Sequence, residues 1–233
     1  MYKRQLRHGV AAGRPRVYEL AAEIIAHSDS ALDMATLTRA VRAYQGVAPL
    51  TMGEVWALPI MLRLALVENL RRLADRILDS LVHKRCADAW ADEILDERPL
   101  DPPGRLVERT RDLGTLPSSL VAHLVRRFRD QGHELSECWH WLERRLAQQG
   151  SEIDDVVRNE HQCRACDQVS TGNAVTSMRL MSAVDWQAFF EEISLVEQEL
   201  RQDPAGVYGR MDFESRDRYR HVVERLARRA GYE

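Results

Sequence analysis

The sequence is poor in several things that would announce a function. Lysine occurs only at Lys3 and Lys84, so nearly all positive charge is arginine, and the formal net charge of -3 provides no basic field for nucleic acid or an anionic membrane surface. Four cysteines, Cys86, Cys138, Cys163 and Cys166, are too few in 233 residues for a disulfide framework, and a reducing setting is expected. The start, MYKRQLRHG, has no apolar segment behind its charges, so no signal peptide is expected. The most apolar run is about thirteen residues and contains Pro59 and Arg63, whereas a bilayer span needs roughly twenty. Sustained period-2 alternation, the mark of strands, is missing. So is a fixed repeat length.

The short motifs of common enzymes are absent too. There is no GxxxxGK phosphate loop and no GxGxxG, no GxSxG and no HExxH. No Asp-x-Asp pair of the kind used by metal-dependent sugar-nucleotide transferases occurs, and no pair of carboxylates stands out as an acid/base couple. The chain alone reads as less than a complete enzyme.

What is present is helix. Leu50 to Ala74, LTMGEVWALPIMLRLALVENLRRLA, opens on Thr51 with Glu54 three residues on, a capping box. From Val55 to Val67 nearly every side chain is apolar and the one charge is Arg63. A helix apolar all round must be wrapped by others. The pattern predicts an all-α bundle of roughly eight to ten helices around a central, strongly apolar helix over 51–97, kinked at Pro59.

Other stripes flank it. Val17, Leu20, Ala21, Ile24 and Ile25 predict a helix ending near His27, and Ser28, Asp29 and Ser30 offer caps for one carrying Leu37, Ala40, Val41 and Tyr44. After Asn69 the pattern is amphipathic, with Leu70, Leu73, Ala74, Ile77, Leu78 and Leu81 as its apolar face. Further helices follow from Pro117 to Gly132, Leu135 to Gly150, Ser151 onward, Asn173 to Ser182, Asp185 to Leu200, and Asp212 to Gly231 with Val222, Val223, Leu226 and Ala230 inward. We read a single helical domain over 1–233, with 1–13 a loosely anchored lead-in and 97–115 a Pro-rich surface connection.

Three groups of polar residues merit weighing. Glu54, Arg63, Glu68 and Asn69 lie on the apolar helix; internal pairing that fixes packing is the plainer reading, ligand contact the sharper one. His161, Cys163 and Cys166 could supply part of a zinc site, but a closed site needs four ligands. Cys86, Cys138, His133 or His140 would have to complete it, and unligated thiols are the plainer reading. The segment YGRMDFESRDRYR, with Arg210, Asp212 and Arg216, reads as a capped helix start with surface ion pairs. Trp56, Trp139, Trp141, Trp186 and Tyr208 could stack on sugars, though core packing suits their spacing better. Asn173 and Arg179 complete the residues that could meet a ligand or another domain.

One resemblance goes further. VRAYQGVAPLTMGEVWALPIMLRLALVENLRRLA resembles a segment of the cyclic β-1,2-glucan synthases, very large bacterial inner-membrane enzymes. The likeness begins at GRPRVYELAAEIIAHSD and returns at STGNAVTSMRLMSAVDWQAFFEEISLVEQELRQDPAGVYGRMDFESRDRYRHVVERLARRAGY, with a looser stretch at about 98–150. The resemblance implies a fragment of a much larger glycosyltransferase that uses UDP-glucose and a divalent metal, from a helical region near the transferase domain on the cytoplasmic side. It implies no cofactor for the fragment itself. Its partners would be the remaining domains of the synthase, with self-association as a further expectation, and neither nucleic acid nor a membrane span. A carbohydrate- or nucleotide-sugar-binding module and a protein–protein interaction module remain as alternatives.

Overall fold

The computed structural model describes residues 5, 13–97, 101–130 and 135–231. Among them are ten α-helices and no strand. The fold is all-α, as the periodicity predicts. Most of the 1–13 lead-in, and His133, lie outside the described residues.

The helices are α1 (Arg16–His27), α2 (Met34–Gln45), α3 (Met52–Glu97), α4 (Pro102–Arg109), α5 (Ser118–Asp130), α6 (Ser136–Ala147), α7 (Ile153–Ala183), α8 (Trp186–Ile193), α9 (Leu195–Leu200) and α10 (Phe213–Arg229). The chain divides into two compact units, one formed by residues 1–68 and 173–233 and the other by 69–172.

In the first unit, the α1 stripe buries Val17, Ala21, Ile24 and Ile25. Asp33, not Ser28 to Ser30, caps α2 by accepting from the Thr36 amide at 2.8 Å. Asp29 and Ser30 instead take left-handed backbone conformations, with φ of 49° and 62°. The start of α3 buries Leu58, Leu62 and Leu66, with Phe189, Phe190 and Ile193 of α8 also in this core. Ser194 interrupts the expected Asp185–Leu200 helix: its hydroxyl accepts from the Glu197 amide and starts α9 as a separate helix.

The apolar helix departs from expectation in one respect. It is not apolar all round in its surroundings: Ile60, Leu64 and Val67 are 55%, 49% and 51% exposed. The cause is geometric, since the buried residues of α3 and these three occupy opposite sides of the helix. Pro59 lies inside α3, which stays helical through it over 46 residues. Proline removes one backbone hydrogen bond, and a long helix anchored on a buried face absorbs that loss.

In the second unit, Leu120, Leu124 and Phe128 of α5 and Cys138, Leu142 and Leu146 of α6 form one core with Ala87, Ile94, Leu106 and Ile153. Within the Pro-rich stretch, Asp101 accepts from the Gly104 amide and caps α4, whose Leu106 is fully buried. The expected inward face after Asn69 is mostly solvent-facing: Leu73 is buried, but Ile77, Leu78 and Leu81 are exposed. Asn173 to Ser182 is not a separate helix. It continues α7, a single helix of 31 residues.

Candidate functional site

The densest polar constellation lies in the first unit, around Glu197. Its carboxylate is fully buried at the start of α9. Oε2 accepts from the Tyr208 phenol at 2.6 Å and from Arg220 Nη1 at 2.7 Å. Oε1 accepts from Arg201 Nε at 2.8 Å. Burial by itself would raise the Glu197 carboxyl; the bonds from Tyr208, Arg220 and Arg201 outweigh it and hold the group below its ordinary value. Burial, with the bond to Glu197 second, pushes the Tyr208 phenol up to about 12.

Arg220 is also fully buried, its guanidinium 5.1 Å from the Phe190 ring centre and 4.7 Å from that of Phe213. Stacking on two rings lowers the cost of removing the cation from water. Arg216 binds Glu191 Oε1 through Nε at 3.0 Å and Nη2 at 2.6 Å, and Arg201 Nη2 reaches Glu191 Oε2 at 3.0 Å. Asp217 accepts from Arg220 Nη2 at 3.1 Å. Three arginines thus meet three carboxylates. In this charge-balanced network each carboxylate is answered by a guanidinium, the condition under which charge can be buried.

This overturns part of the sequence reading. The ion pairs of YGRMDFESRDRYR are not all at the surface, since Arg220 is buried and Arg216 nearly so. The reason is that Phe190, Phe213 and Glu197 converge on one side of α10. Consequently Val222, Val223 and Leu226, expected inward, are exposed. Asp212 caps α10 as read, accepting from the Ser215 amide at 2.7 Å. Glu197 and Arg220 themselves were not singled out. Glu197, four residues after Ile193 on an otherwise apolar face, was the available signal.

Other residues of the first unit are also engaged internally. Glu54 is fully buried and bridged by Arg16 through Nε and Nη2, both at 2.7 Å. The Thr51 amide donates to Glu54 Oε2 at 2.9 Å while Thr51 Oγ1 accepts from the Glu54 amide at 3.3 Å, completing the capping box. Burial opposes ionisation of Glu54, and the Arg16 and Thr51 bonds more than compensate, holding its carboxyl low. Arg63 Nη2 donates to the Met181 carbonyl at 2.8 Å, and Arg210 Nε to that of Gly206 at 2.8 Å. Asn173 Nδ2 donates to the Asp29 carbonyl at 3.0 Å. Ser177 Oγ both donates to the Ser30 carbonyl, at 2.5 Å, and accepts from the Leu32 amide, at 2.9 Å. Together these bonds fix the left-handed Asp29–Ser30 turn. Arg179 is exposed. Glu68, half-buried, ends the first unit's part of α3, and Asn69 begins the second unit.

In the first unit the aromatics Trp56, Trp186 and Tyr208 each have a ring or carboxylate partner. Trp56 stacks on Phe190 at 4.5 Å, Trp186 meets Phe189 edge-on at 5.4 Å, and Tyr208 is buried on Glu197. Trp139 and Trp141 belong to the second unit, packed on its core. A concavity of ≈ 470 Å³ in the first unit is lined by Met34, Ala35, Thr38, Arg39, Arg42 and Glu192. Arg42 there is paired with Glu192 at 3.0 Å.

In the second unit, His123 is buried and its Nε2 lies 2.8 Å from Arg164 Nη2, which also reaches Ser80 Oγ at 2.9 Å. Burial, then the charges of Arg164 and Arg126, lower the imidazole's pKa despite Asp88 and Glu160. His83 Nδ1 and Ser119 Oγ are 2.6 Å apart. His161, Cys163 and Cys166 are all exposed on α7. No group of three metal-ligating side chains occurs among the described residues. Cys138 is buried, which pushes its thiol up to about 11, and His140 is paired with Glu143.

The described residues therefore define a class: an all-α protein whose buried carboxylates Glu54 and Glu197 are each bonded to arginine, with no helix long and apolar enough to cross a membrane. No family model matches the chain. Over 219 residues, 94% of its length, it is 32% identical to the cyclic β-(1,2)-glucan synthase NdvB of Rhizobium meliloti (strain 1021). The resemblance read from the motifs holds: the chain is homologous to a segment of a cyclic β-(1,2)-glucan synthase, and it spans 8% of the length of that relative.

Proposed function

We propose that the chain is a non-catalytic helical module of a cyclic β-(1,2)-glucan synthase, packing against the UDP-glucose-dependent glycosyltransferase domain on the cytoplasmic side and supporting its activity. The observation that carries this reading is the extent of the homology: nearly all of this chain corresponds to a small part of a synthase. The use of polar groups supports it. Glu54, Arg63, Asn173 and Arg210 bond within the first unit instead of converging on an open cleft. Glu197, the most deeply buried carboxylate of its network, has both oxygens occupied by protein donors. A base or nucleophile needs a free lone pair beside its substrate.

The test is direct. The isolated chain, incubated with UDP-glucose and magnesium, is expected to make no β-1,2-glucan and to release no UDP above background. Robust glucan synthesis by the chain alone would overturn the non-catalytic reading. Deletion of the matching segment from the R. meliloti synthase is expected to abolish glucan formation in membranes, and full activity after that deletion would remove the supporting role.

A further inference from the structure

Cys163 and Cys166 are free thiols, both exposed, three residues apart on α7. In an α-helix that spacing sets the two Cα atoms about 5 Å apart, within the range a disulfide bridges. The two Cβ atoms stand about 5–6 Å apart, against the roughly 3.5–4.5 Å a disulfide needs. A bond between the sulfurs is in reach once the turn between them is drawn in by about 1 Å. Arg164 stands on that turn. Its guanidinium meets three partners, all within the second unit: Glu160 Oε1 at 2.9 Å through Nε, and through Nη2 Ser80 Oγ at 2.9 Å and His123 Nε2 at 2.8 Å. Arginine only donates, so the neutral His123 ring accepts at Nε2 and carries its proton on Nδ1. Arg164 thus ties α7 to α3 and α5.

We propose that Cys163 and Cys166 form a thiol–disulfide exchange site for low-molecular-weight disulfides, and that closing their disulfide weakens the hold of Arg164 on His123. In the first step the thiolate of one cysteine attacks a sulfur of a disulfide such as oxidised glutathione, forms a mixed disulfide and expels one glutathione thiolate. The thiolate of the other cysteine then attacks the protein sulfur of that mixed disulfide, and the second glutathione leaves. Two protein thiols are oxidised to one disulfide, one glutathione disulfide is reduced to two thiols, and the two protons of the protein thiols end on glutathione. Reduced glutathione runs the same steps backwards. An exposed disulfide held away from its preferred spacing is of the readily reduced, regulatory kind. Drawing in the turn displaces Arg164, and a contact of 2.8 Å lengthened by nearly an ångström is no longer a hydrogen bond.

The test treats the whole reduced chain with oxidised glutathione at neutral pH and follows it by intact mass and peptide mapping. The expected product is lighter than the reduced chain by two hydrogens and has Cys163 joined to Cys166. Cys163→Ser and Cys166→Ser lack the second attack, so each should keep glutathione on its remaining α7 thiol, at least tenfold more than the wild type keeps. Stable glutathione on both cysteines of the wild type, a bond to Cys86 or to a second copy, or two thiols left unreacted would each overturn the exchange site. The nitrogen NMR signal of His123 Nε2 reads the coupling. It should move when the wild type is oxidised, return on reduction, and stay in place when Cys166→Ser takes up glutathione. A Cys163–Cys166 disulfide that leaves the signal unmoved, or an equal shift in the Cys166→Ser adduct, overturns the link to Arg164.

Discussion

Tyr208 donates its phenolic proton to the same Glu197 oxygen that accepts from Arg220, at 2.6 and 2.7 Å. One buried oxygen thus ties together the 3-10 turn Tyr208–Arg210, α9 and α10. Glu197→Ala leaves Arg220 buried without its main partner, and a loss of about 3–5 kcal/mol is expected from breaking a buried ion pair on one side. Tyr208→Phe removes a single bond to a charged acceptor, and about 1.5–3 kcal/mol is expected. Urea unfolding followed by circular dichroism measures both. A Glu197→Ala protein as stable as wild type would show that the network contributes no net packing energy.

Ser177 serves the left-handed turn twice, as donor to Ser30 and as acceptor from Leu32. Ser177→Ala strands a carbonyl and an amide, so a loss of about 1–3 kcal/mol is expected. The effect should appear in hydrogen exchange as faster exchange of the Leu32 amide. An unchanged rate would mean that the turn holds without the hydroxyl.

Acid should destabilise the protein in two stages. His123 has a folded pKa below its ordinary 6.5, because burial and the neighbouring arginines disfavour its cation. The unfolded chain therefore takes up a proton that the folded chain refuses. Stability contributed by the neutral ring is present above pH 6.5 and declines as pH falls below it. Glu54 and Glu197 have folded pKa values below their ordinary 4.5, so their contribution is complete above that pH and declines beneath it. His123→Gln should remove the upper stage alone. Denaturation midpoints between pH 4 and 8 test this, and an NMR titration that places His123 above 6.5 would reverse its sign.

The thiols should differ in reactivity. Cys163 and Cys166 are exposed, whereas Cys138 is buried with its thiol pushed up to about 11. At neutral pH the α7 pair should react quickly with an aromatic disulfide reagent, and Cys138 only after unfolding. Purified protein is expected to carry no stoichiometric zinc. Slow reaction of Cys163 and Cys166, reversed by a chelator, would instead indicate a bound metal.

Much of the fold was legible in residues. Thr51 and Glu54 marked the start of α3, and Asp185 and Asp212 the starts of α8 and α10. Caps and stripes are local, so spacing reports them. The boundary at Ser194 and the continuity of α7 were less legible, since a hydroxyl near a helix end can cap or merely be tolerated. Of the polar constellation, Glu54 was visible through its capping box, but its partner Arg16 lies 38 residues away. Arg220 and Glu197 were hidden for the same reason: an arginine among charged residues looks solvated until the fold brings two rings and a carboxylate to it.

The sequence by itself determined that this protein is all-α, where most of its helices begin, and to which synthases it is related, because periodicity, capping and long motifs are properties of neighbouring residues. The tertiary structure decided which side of Leu50–Ala74 is covered. Apolar composition measures how much surface a helix could bury, but only the other helices settle how much it does. They cover Leu58, Leu62 and Leu66 and leave Ile60, Leu64 and Val67 to solvent.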